Sequence, residues 1–265
     1  MAIARDTSTT GGKLTGAPSS ASWSHTCGTL TNGVLIVSIN MHGGSTPGVS
    51  AISYNGVAMT QIGSTYNPVS YERLMHYRLV NPASGAHTIS ITFSGTTDEV
   101  YPYASSYSGV DQTTPIDPGG LLNNYSASGT SITGTATLTN ANCWLVGIGG
   151  GQRTVSGGTN FTQLQSAFSQ SMSADSNASV GSGSRSITMN MSPSNEIFIS
   201  GFALNPAVAV TLTETQLNRY PIRGESRGIM RRSLPNVRGL NAEKMRFEKP
   251  RSAFLARKSR VLVNT

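Results

Sequence analysis

The sequence has little charge, few aromatic residues and almost no cysteine. Only 12% of its 265 residues are charged, about half the usual share in soluble domains. Two cysteines, Cys27 and Cys143, are too few for a disulfide framework or a four-ligand zinc site, and we expect both to be partly buried thiols. No apolar run approaches the roughly 18 residues that a membrane-spanning helix needs, and the N-terminus has no apolar signal segment. We therefore expect no cofactor, no metal and no membrane association, and synthesis in the cytoplasm.

Glycine, serine, threonine and asparagine take the place of the missing charges. These residues are poor helix formers and suit turns and short strands. Residues 33–41 are almost all apolar and predict a strand buried on both faces, whereas residues 87–93 alternate and predict a half-buried strand. Asn55-Gly56 predicts a tight hairpin turn. The pattern indicates an all-β fold, an antiparallel jelly-roll-like β-sandwich.

The strand pattern occurs twice along the chain, which indicates an internal pseudo-repeat. The matching segments are residues 30–39 with 138–148, 87–93 with 185–191, and 99–105 with 196–202. Each half supplies four or five predicted strands. We expect that neither half buries its apolar face alone, so that the two halves face each other around one core instead of forming two tandem domains.

Positive charge is confined to the end of the chain. From Thr211 onward, thirteen basic and four acidic residues give a net charge of +9, whereas the preceding six basic and eight acidic residues give −2. No strand or helix period is sustained there, and Pro221, Pro235 and Pro250 interrupt the segment. We predict a lead-in segment over residues 1–20, a sandwich domain over residues 21–210, and an extended basic arm over residues 211–265.

The arm carries the predicted partner-binding residues. Arginine is suited to bidentate pairing with carboxylate or phosphate, and the apolar residues between the arginines can enter pockets on a protein. These apolar residues favour a protein partner over nucleic acid, which a purely electrostatic arm would bind without them. A solvated tail is the alternative. The residues are Arg219, Arg223, Arg227, Arg231, Arg232, Arg238, Phe247, Arg251, Phe254, Arg257, Lys258 and Arg260.

No residue pattern typical of catalysis is found in the sequence. Its four histidines lack a second ligand at metal or triad spacing, and we expect them to be strand or loop residues. We expect the carboxylates to be solvated loop charges, and the glycine-rich residues 147–153 to be a flexible loop. The carboxylates in question are Glu72, Asp98, Glu99, Asp111, Asp117, Asp175 and Glu196; the histidines are His25, His42, His76 and His87. We therefore predict a protein that is not an enzyme.

Several motifs together resemble a jelly-roll β-sandwich module that recurs in tailed-phage structural and fibre proteins and in bacterial surface proteins. The motifs are WSHT from Trp23, VSAISYNGVAMTQIG from Val49, LVNPASGAHTISITFSG from Leu79, and YSGVDQTTPID from Tyr107. The resemblance covers roughly residues 20–206 and does not include the arm. It implies a non-catalytic module.

With the arm, the resemblance favours a virion component, either a capsid decoration protein or a head or tail fibre element. Its partners would be other virion proteins, with several copies per particle or a homo-oligomer. A carbohydrate-binding receptor-recognition module is the alternative, with a host-surface glycan as ligand and exposed aromatic rings stacking on the sugar. The candidate rings belong to Trp23, Tyr66, Tyr71, Tyr101, Tyr103, Tyr125 and Trp144. A glycan-cleaving enzyme is a third hypothesis and needs a pair of facing carboxylates.

Overall fold

The computed structural model describes residues 1–43, 47–167 and 170–208. Within these residues the chain forms sixteen strands, all paired antiparallel, and no helix. No helix that could span a membrane occurs among them. Residues 1–208 form one compact unit. The predicted all-β, antiparallel class is therefore confirmed for this part of the chain, and the predicted arm lies outside it.

The first repeat consists of two sheets. Its inner sheet has the strand order β1-β10-β4-β8-β7, with β2 also paired to β10, and its outer sheet has the order β3-β9-β5-β6. The strands are β1 (Ala4–Thr10), β2 (Leu14–Thr15), β3 (Ser20–Cys27), β4 (Val34–His42), β5 (Val49–Tyr54), β6 (Val57–Ala58), β7 (Thr60–Tyr66), β8 (Glu72–Val80), β9 (Gly85–Phe93) and β10 (Glu99–Ser108). The segment set apart as a lead-in, residues 1–20, thus contributes β1 and β2 to the inner sheet.

The second repeat is one sheet that doubles over, with the order β11-β16-β12-β15-β14 and β13 on β16. The strands are β11 (Leu122–Leu138), β12 (Trp144–Gly151), β13 (Thr154–Gly157), β14 (Thr162–Ala167), β15 (Ser171–Asp175) and β16 (Gly183–Leu204). Register shifts between Ser126 and Ser131 interrupt the β11–β16 pairing. The last part of β16 pairs with β12 and its first part pairs with β13. Because β11 and β16 each run through both layers, the second repeat forms its two layers from this single sheet.

The two repeats have the same topology. The order β1-β10-β4-β8-β7 in the first repeat matches β11-β16-β12-β15-β14 in the second. The predicted repeat is therefore confirmed, with β4 equivalent to β12 and β10 equivalent to the last part of β16.

Each repeat buries a core of its own, so the expectation of one shared core was wrong. In the first repeat, inner-sheet residues such as Leu35 and Met75 pack against outer-sheet residues such as Ile91. In the second repeat, the two layers of the bent sheet enclose a comparable cluster. Two layers per repeat supply enough facing apolar area for a core, as in any sandwich. Cys27 and Cys143 are buried, unpaired thiols in these separate cores.

A third apolar layer joins the repeats. The inner sheet of the first repeat packs its second face against the inner layer of the second, and the contact contains both β4 and β12 residues. The members of this layer include Val34, Ile36, Leu74, Tyr103, Tyr107, Trp144, Val146, Ile148, Phe198 and Phe202. The inner strands are therefore covered on both faces, which explains why β4 is buried along nearly its whole length and is mostly apolar.

Three local predictions are confirmed. All residues of β4 are buried except the last, and β9 alternates with Ile89, Ile91 and Phe93 inward. Asn55 and Gly56, with φ of 50° and 75°, form the turn between β5 and β6, where Tyr54 pairs with Val57. Positive φ at both central residues is what a type I′ turn needs.

Residues 147–153 were expected to form a flexible loop, but most of this glycine-rich segment forms the end of β12. A Cβ at Gly149 would lie 2.3 Å from the Met189 sulfur, and one at Gly151 would lie 2.6 Å from the Met191 sulfur. At Gly147 it would lie 2.4 Å from a backbone oxygen of β16. Glycine is required here because other side chains and the neighbouring strand occupy the space that a Cβ would take.

Candidate functional site

A cluster of carboxylates and tyrosines lies at one end of the two inner layers, where β4 ends and where β8 and β10 begin. Strand pairing places Glu99, His42 and Glu72 side by side in one row across the first repeat. Glu196, from β16, faces this row from the second repeat through its contact with Tyr71. We call this group the tyrosine–carboxylate cluster; its members are His42, Tyr71, Glu72, Glu99, Tyr101, Tyr125 and Glu196.

Glu196 accepts hydrogen bonds from three neutral donors. The Tyr71 hydroxyl donates to Oε2 at 2.5 Å, and the Tyr125 hydroxyl donates to Oε1 at 2.7 Å. The Gln152 amide also donates to Oε2 at 2.8 Å. Among the described residues, Glu196 takes part in none of the three ion pairs. The hydrogen bond to Glu196 raises the pKa of Tyr71 to about 12, so this phenol stays protonated and remains a donor.

Glu72 is 96% buried, which the sequence did not predict for a carboxylate. Burial raises its pKa, while the hydrogen bond from His42 acts in the opposite direction. That hydrogen bond, from Nδ1 to Oε1 at 2.5 Å, is also the main reason why the pKa of His42 is raised. The second carboxylate oxygen, Oε2, is buried and has no hydrogen-bond partner among the described residues. A buried acceptor without a donor is costly.

Glu99 is held by two donors on the first repeat. Lys13 Nζ lies 2.6 Å from Oε1, and the Tyr101 hydroxyl donates to Oε2. Burial acts to raise the pKa of Glu99, but these two hydrogen bonds outweigh it and the pKa is lowered. Glu99 is therefore an ionised carboxylate with its own cation.

The cluster combines groups that bind hydroxyl-rich ligands. Carboxylate oxygens accept hydrogen bonds, tyrosine hydroxyls and the Gln152 amide donate or accept, and Tyr66, Tyr71 and Tyr125 are partly exposed. Amphipathic rings of this kind can stack on the apolar face of a sugar. Within the residues that the structure describes, no group of three or more His, Cys, Asp or Glu side chains is arranged to hold a metal ion.

The buried polar groups elsewhere stabilise the fold. His76 bonds Ser38 and Ser200 across the two repeats, and burial lowers its pKa to about 3. His25 bonds Thr9 and Ser106, and burial lowers its pKa to about 4. Both rings are therefore neutral near pH 7. They are buried strand residues, in agreement with the prediction that the histidines are strand or loop residues.

Two further carboxylates are fully buried, so the expectation of solvated loop charges was wrong for them as it was for Glu72. Asp117 accepts hydrogen bonds from the backbone amides of Gly119, Thr139 and Asn140, which outweigh burial and lower its pKa. Asp175 is bound by Arg5 and Tyr107 at the contact between the repeats. Both are structural anchors of loops or layers.

The aromatic residues named from the sequence divide into two groups. Tyr101, Tyr103 and Trp144 are buried, and Trp23 packs against the core of the first repeat while its indole N–H donates to Thr9. Tyr66, Tyr71 and Tyr125 are partly exposed, as is Trp23. The twelve predicted partner-binding residues of the arm all lie outside the described residues.

The sequence did not predict that these residues form one cluster, although the internal repeat relates two of its carboxylates. Glu99 and Glu196 occupy the same place in the two copies of the repeat, each at the start of an inner-strand segment. Tyr71 comes from the turn before β8, and Tyr125 comes from β11. No protein-family model, characterised protein or solved structure matched the chain.

Proposed function

We propose that the protein is a non-catalytic structural component of a phage virion, a capsid decoration protein or a head or tail fibre element. Residues 211–265 would attach it to the particle. The observation that carries the proposal is the separation of charge, with +9 on residues 211–265 and −2 on the residues before them. A basic segment joined to a slightly acidic body is suited to docking on an acidic protein shell, because charge steers the encounter.

The arrangement of the termini supports display of the body. The Met1 ammonium donates to the Ala207 carbonyl oxygen at 2.7 Å, so both ends of the described unit lie together. By strand register, this end is the start of β4 and β12, where Val34 pairs with Tyr107 and Trp144 pairs with Leu204. The tyrosine–carboxylate cluster is at the opposite end of β4, nine residues or about 30 Å away. The end remote from Val208 would then be free to face outward.

Several copies on one particle would make weak attachment effective. Each docked segment adds to the overall avidity without needing a high affinity of its own. The apolar side chains interspersed among the arginines favour other virion proteins as partners over packaged nucleic acid.

Deletion of residues 211–265 tests the attachment. The full chain and the shortened chain, each with the same N-terminal tag, are expressed during infection, and the particles are banded in a density gradient. We expect the full chain in the particle band and the shortened chain at the top of the gradient. Equal occupancy of the particle band by both chains would contradict the proposal.

A matched pair of variants separates charge from arginine geometry. In one variant the arginines at 219, 223, 227, 231, 232 and 238 become lysine, and in the other they become glutamine. We expect glutamine to abolish particle binding and lysine to weaken it, because lysine keeps the charge but not the bidentate hydrogen bonds. Retention of binding by the glutamine variant would contradict a charge-dependent attachment.

The non-catalytic part of the proposal has its own test. The full chain is incubated with purified host polysaccharides, and the release of reducing sugar ends is measured. We expect no release above that of heat-treated protein. Release that disappears in Glu72→Gln or Glu196→Gln would favour a glycan-cleaving enzyme instead.

A further inference from the structure

We propose that the tyrosine–carboxylate cluster is a binding subsite for a neutral saccharide. This inference does not rest on the virion proposal, because it concerns only the described residues. It assigns a ligand class to a place in the fold where both repeats contribute side chains.

Glu72 has one oxygen with no donor. This side chain is 96% buried, one of its oxygens accepts a hydrogen bond from His42, and the other is buried without a partner in the part of the chain that the structure describes. Glu72 lies among the other members of the cluster, since its charge acts on the hydroxyl groups of Tyr71 and Tyr101. A sugar hydroxyl is an O–H donor of the kind that this oxygen lacks, and it can accept a hydrogen bond in return.

Neutral donors surround Glu196. Its carboxylate is held in place by Tyr71, Tyr125 and Gln152, without a cation among the described residues. A carboxylate whose partners are neutral can make charge-assisted hydrogen bonds to a ligand, and these are stronger than neutral ones. The partly exposed tyrosines beside it offer the apolar contact that orients a pyranose.

Charge determines the class of saccharide. Glu72, Glu99 and Glu196 are close enough that Glu72 feels the charges of both other carboxylates. His42 and Lys13 balance two of these charges, which leaves one without a counter-charge among the described residues. A sialic acid or a uronic acid would bring a further negative charge, and like charges at short range are repelled. We therefore infer a neutral sugar, recognised through its hydroxyl groups.

The subsite depends on the pairing of the repeats. Glu72, Tyr71 and His42 come from the first repeat, while Tyr125, Gln152 and Glu196 come from the second. Neither repeat alone contains both carboxylates and both tyrosines.

The test uses the full chain and saturation-transfer NMR with lactose, maltotetraose and chitotetraose as neutral probes. Sialyllactose serves as the acidic counterpart of lactose. We expect transfer to at least one neutral probe and none to sialyllactose. Glu196→Gln and Tyr125→Phe should weaken binding of that probe about tenfold and about threefold, as the loss of a charged and of a neutral hydrogen bond predicts. Thermal denaturation confirms that each variant is folded.

Tyr77→Phe is the matched control. Its side chain lies in the core of the first repeat, where the hydroxyl donates to the Met75 sulfur at 3.9 Å. We expect the control to bind like the unmodified chain. The inference is overturned if no neutral probe receives saturation, if sialyllactose binds as well as lactose, or if binding is unchanged in both cluster variants. Loss of particle attachment in the separate deletion experiment has no bearing on any of these results.

Discussion

Replacement of Arg5 by methionine should destabilise the described unit by about 3 kcal/mol, because it leaves a buried carboxylate without its cation. Arg5 Nη1 lies 2.9 Å and 3.0 Å from the two carboxylate oxygens of Asp175. Asp175 is fully buried, and the Arg5 side chain is 29% exposed. The Tyr107 hydroxyl and the backbone amide of Asn177 also donate to Asp175. These hydrogen bonds cannot replace the lost charge.

The loss should depend on pH in a direction that follows from the pKa of Asp175. Burial raises this pKa, and Arg5 acts to lower it. Without Arg5 the pKa rises further. An acid with a raised pKa in the folded state binds more protons when folded, so its burial costs most above that pKa and least in acid. The difference in stability between Arg5→Met and the unmodified chain should therefore be largest near pH 7 and should shrink towards pH 4.

Urea unfolding followed by tryptophan fluorescence measures this difference. Trp144 is a suitable reporter, since its ring packs edge-on against Tyr107 at 6.1 Å between the ring centres. Adding Asp175→Asn to Arg5→Met should restore most of the stability at pH 7, because a neutral amide needs no counter-charge. Arg73→Met serves as control and should cost less than about 1 kcal/mol, since Arg73 donates a hydrogen bond to the exposed side chain of Asn67. A loss below about 1 kcal/mol for Arg5→Met that is the same at pH 4 and pH 7 would refute the reasoning, since it would match a surface ion pair.

Three other substitutions probe separate features of the fold. His76→Gln should reduce the loss of stability on acidification by about 1.4 kcal/mol per pH unit below about pH 6.5. Burial lowers the pKa of this histidine to about 3, so only the unfolded chain takes up its proton in this range. Urea midpoints between pH 4 and 6.5 measure the effect, and an unchanged dependence of stability on pH would contradict it. Gly147→Ala should cost about 3 kcal/mol in urea unfolding, because its Cβ would lie 2.4 Å from the Ser200 carbonyl oxygen. Gly56→Ala should lower stability by about 1 kcal/mol through strain at a φ of 75°; Gly95→Ala, which meets only an ordinary contact, should be close to neutral, and equal melting temperatures for these two variants would argue against the turn assignment.

Much of the fold could be predicted because its signals are local. Alternating residues in β9, the apolar run of β4 and the Asn55-Gly56 turn each depend on a few neighbours in sequence. The internal repeat was also visible, since both copies keep similar segments in the same order. These signals predict the all-β class and the internal repeat.

The candidate site could not be predicted because it depends on pairings that local signals do not specify. His42 and Glu72 are neighbours only because β4 pairs with β8 in one particular register. Tyr71 meets Glu196, 125 positions away in sequence, only because the two repeats stack. The prediction that the carboxylates are exposed to solvent was wrong for the same reason. Glu72, Asp117 and Asp175 are buried in the tertiary structure, and nothing in their local sequence indicates it.

The sequence by itself determined the strand class, the duplication and the separation of a slightly acidic body from a basic end, because composition, alternation and charge are properties of the chain. Only the tertiary structure decided that each repeat has its own core, that the glycines of β12 make room for Met189 and Met191, and that carboxylates from both repeats meet at one end. The physical reason is that the burial of apolar area is non-directional and stabilises many ways of packing the sheets. Strand register and the stacking of layers then determine which polar side chains come into contact.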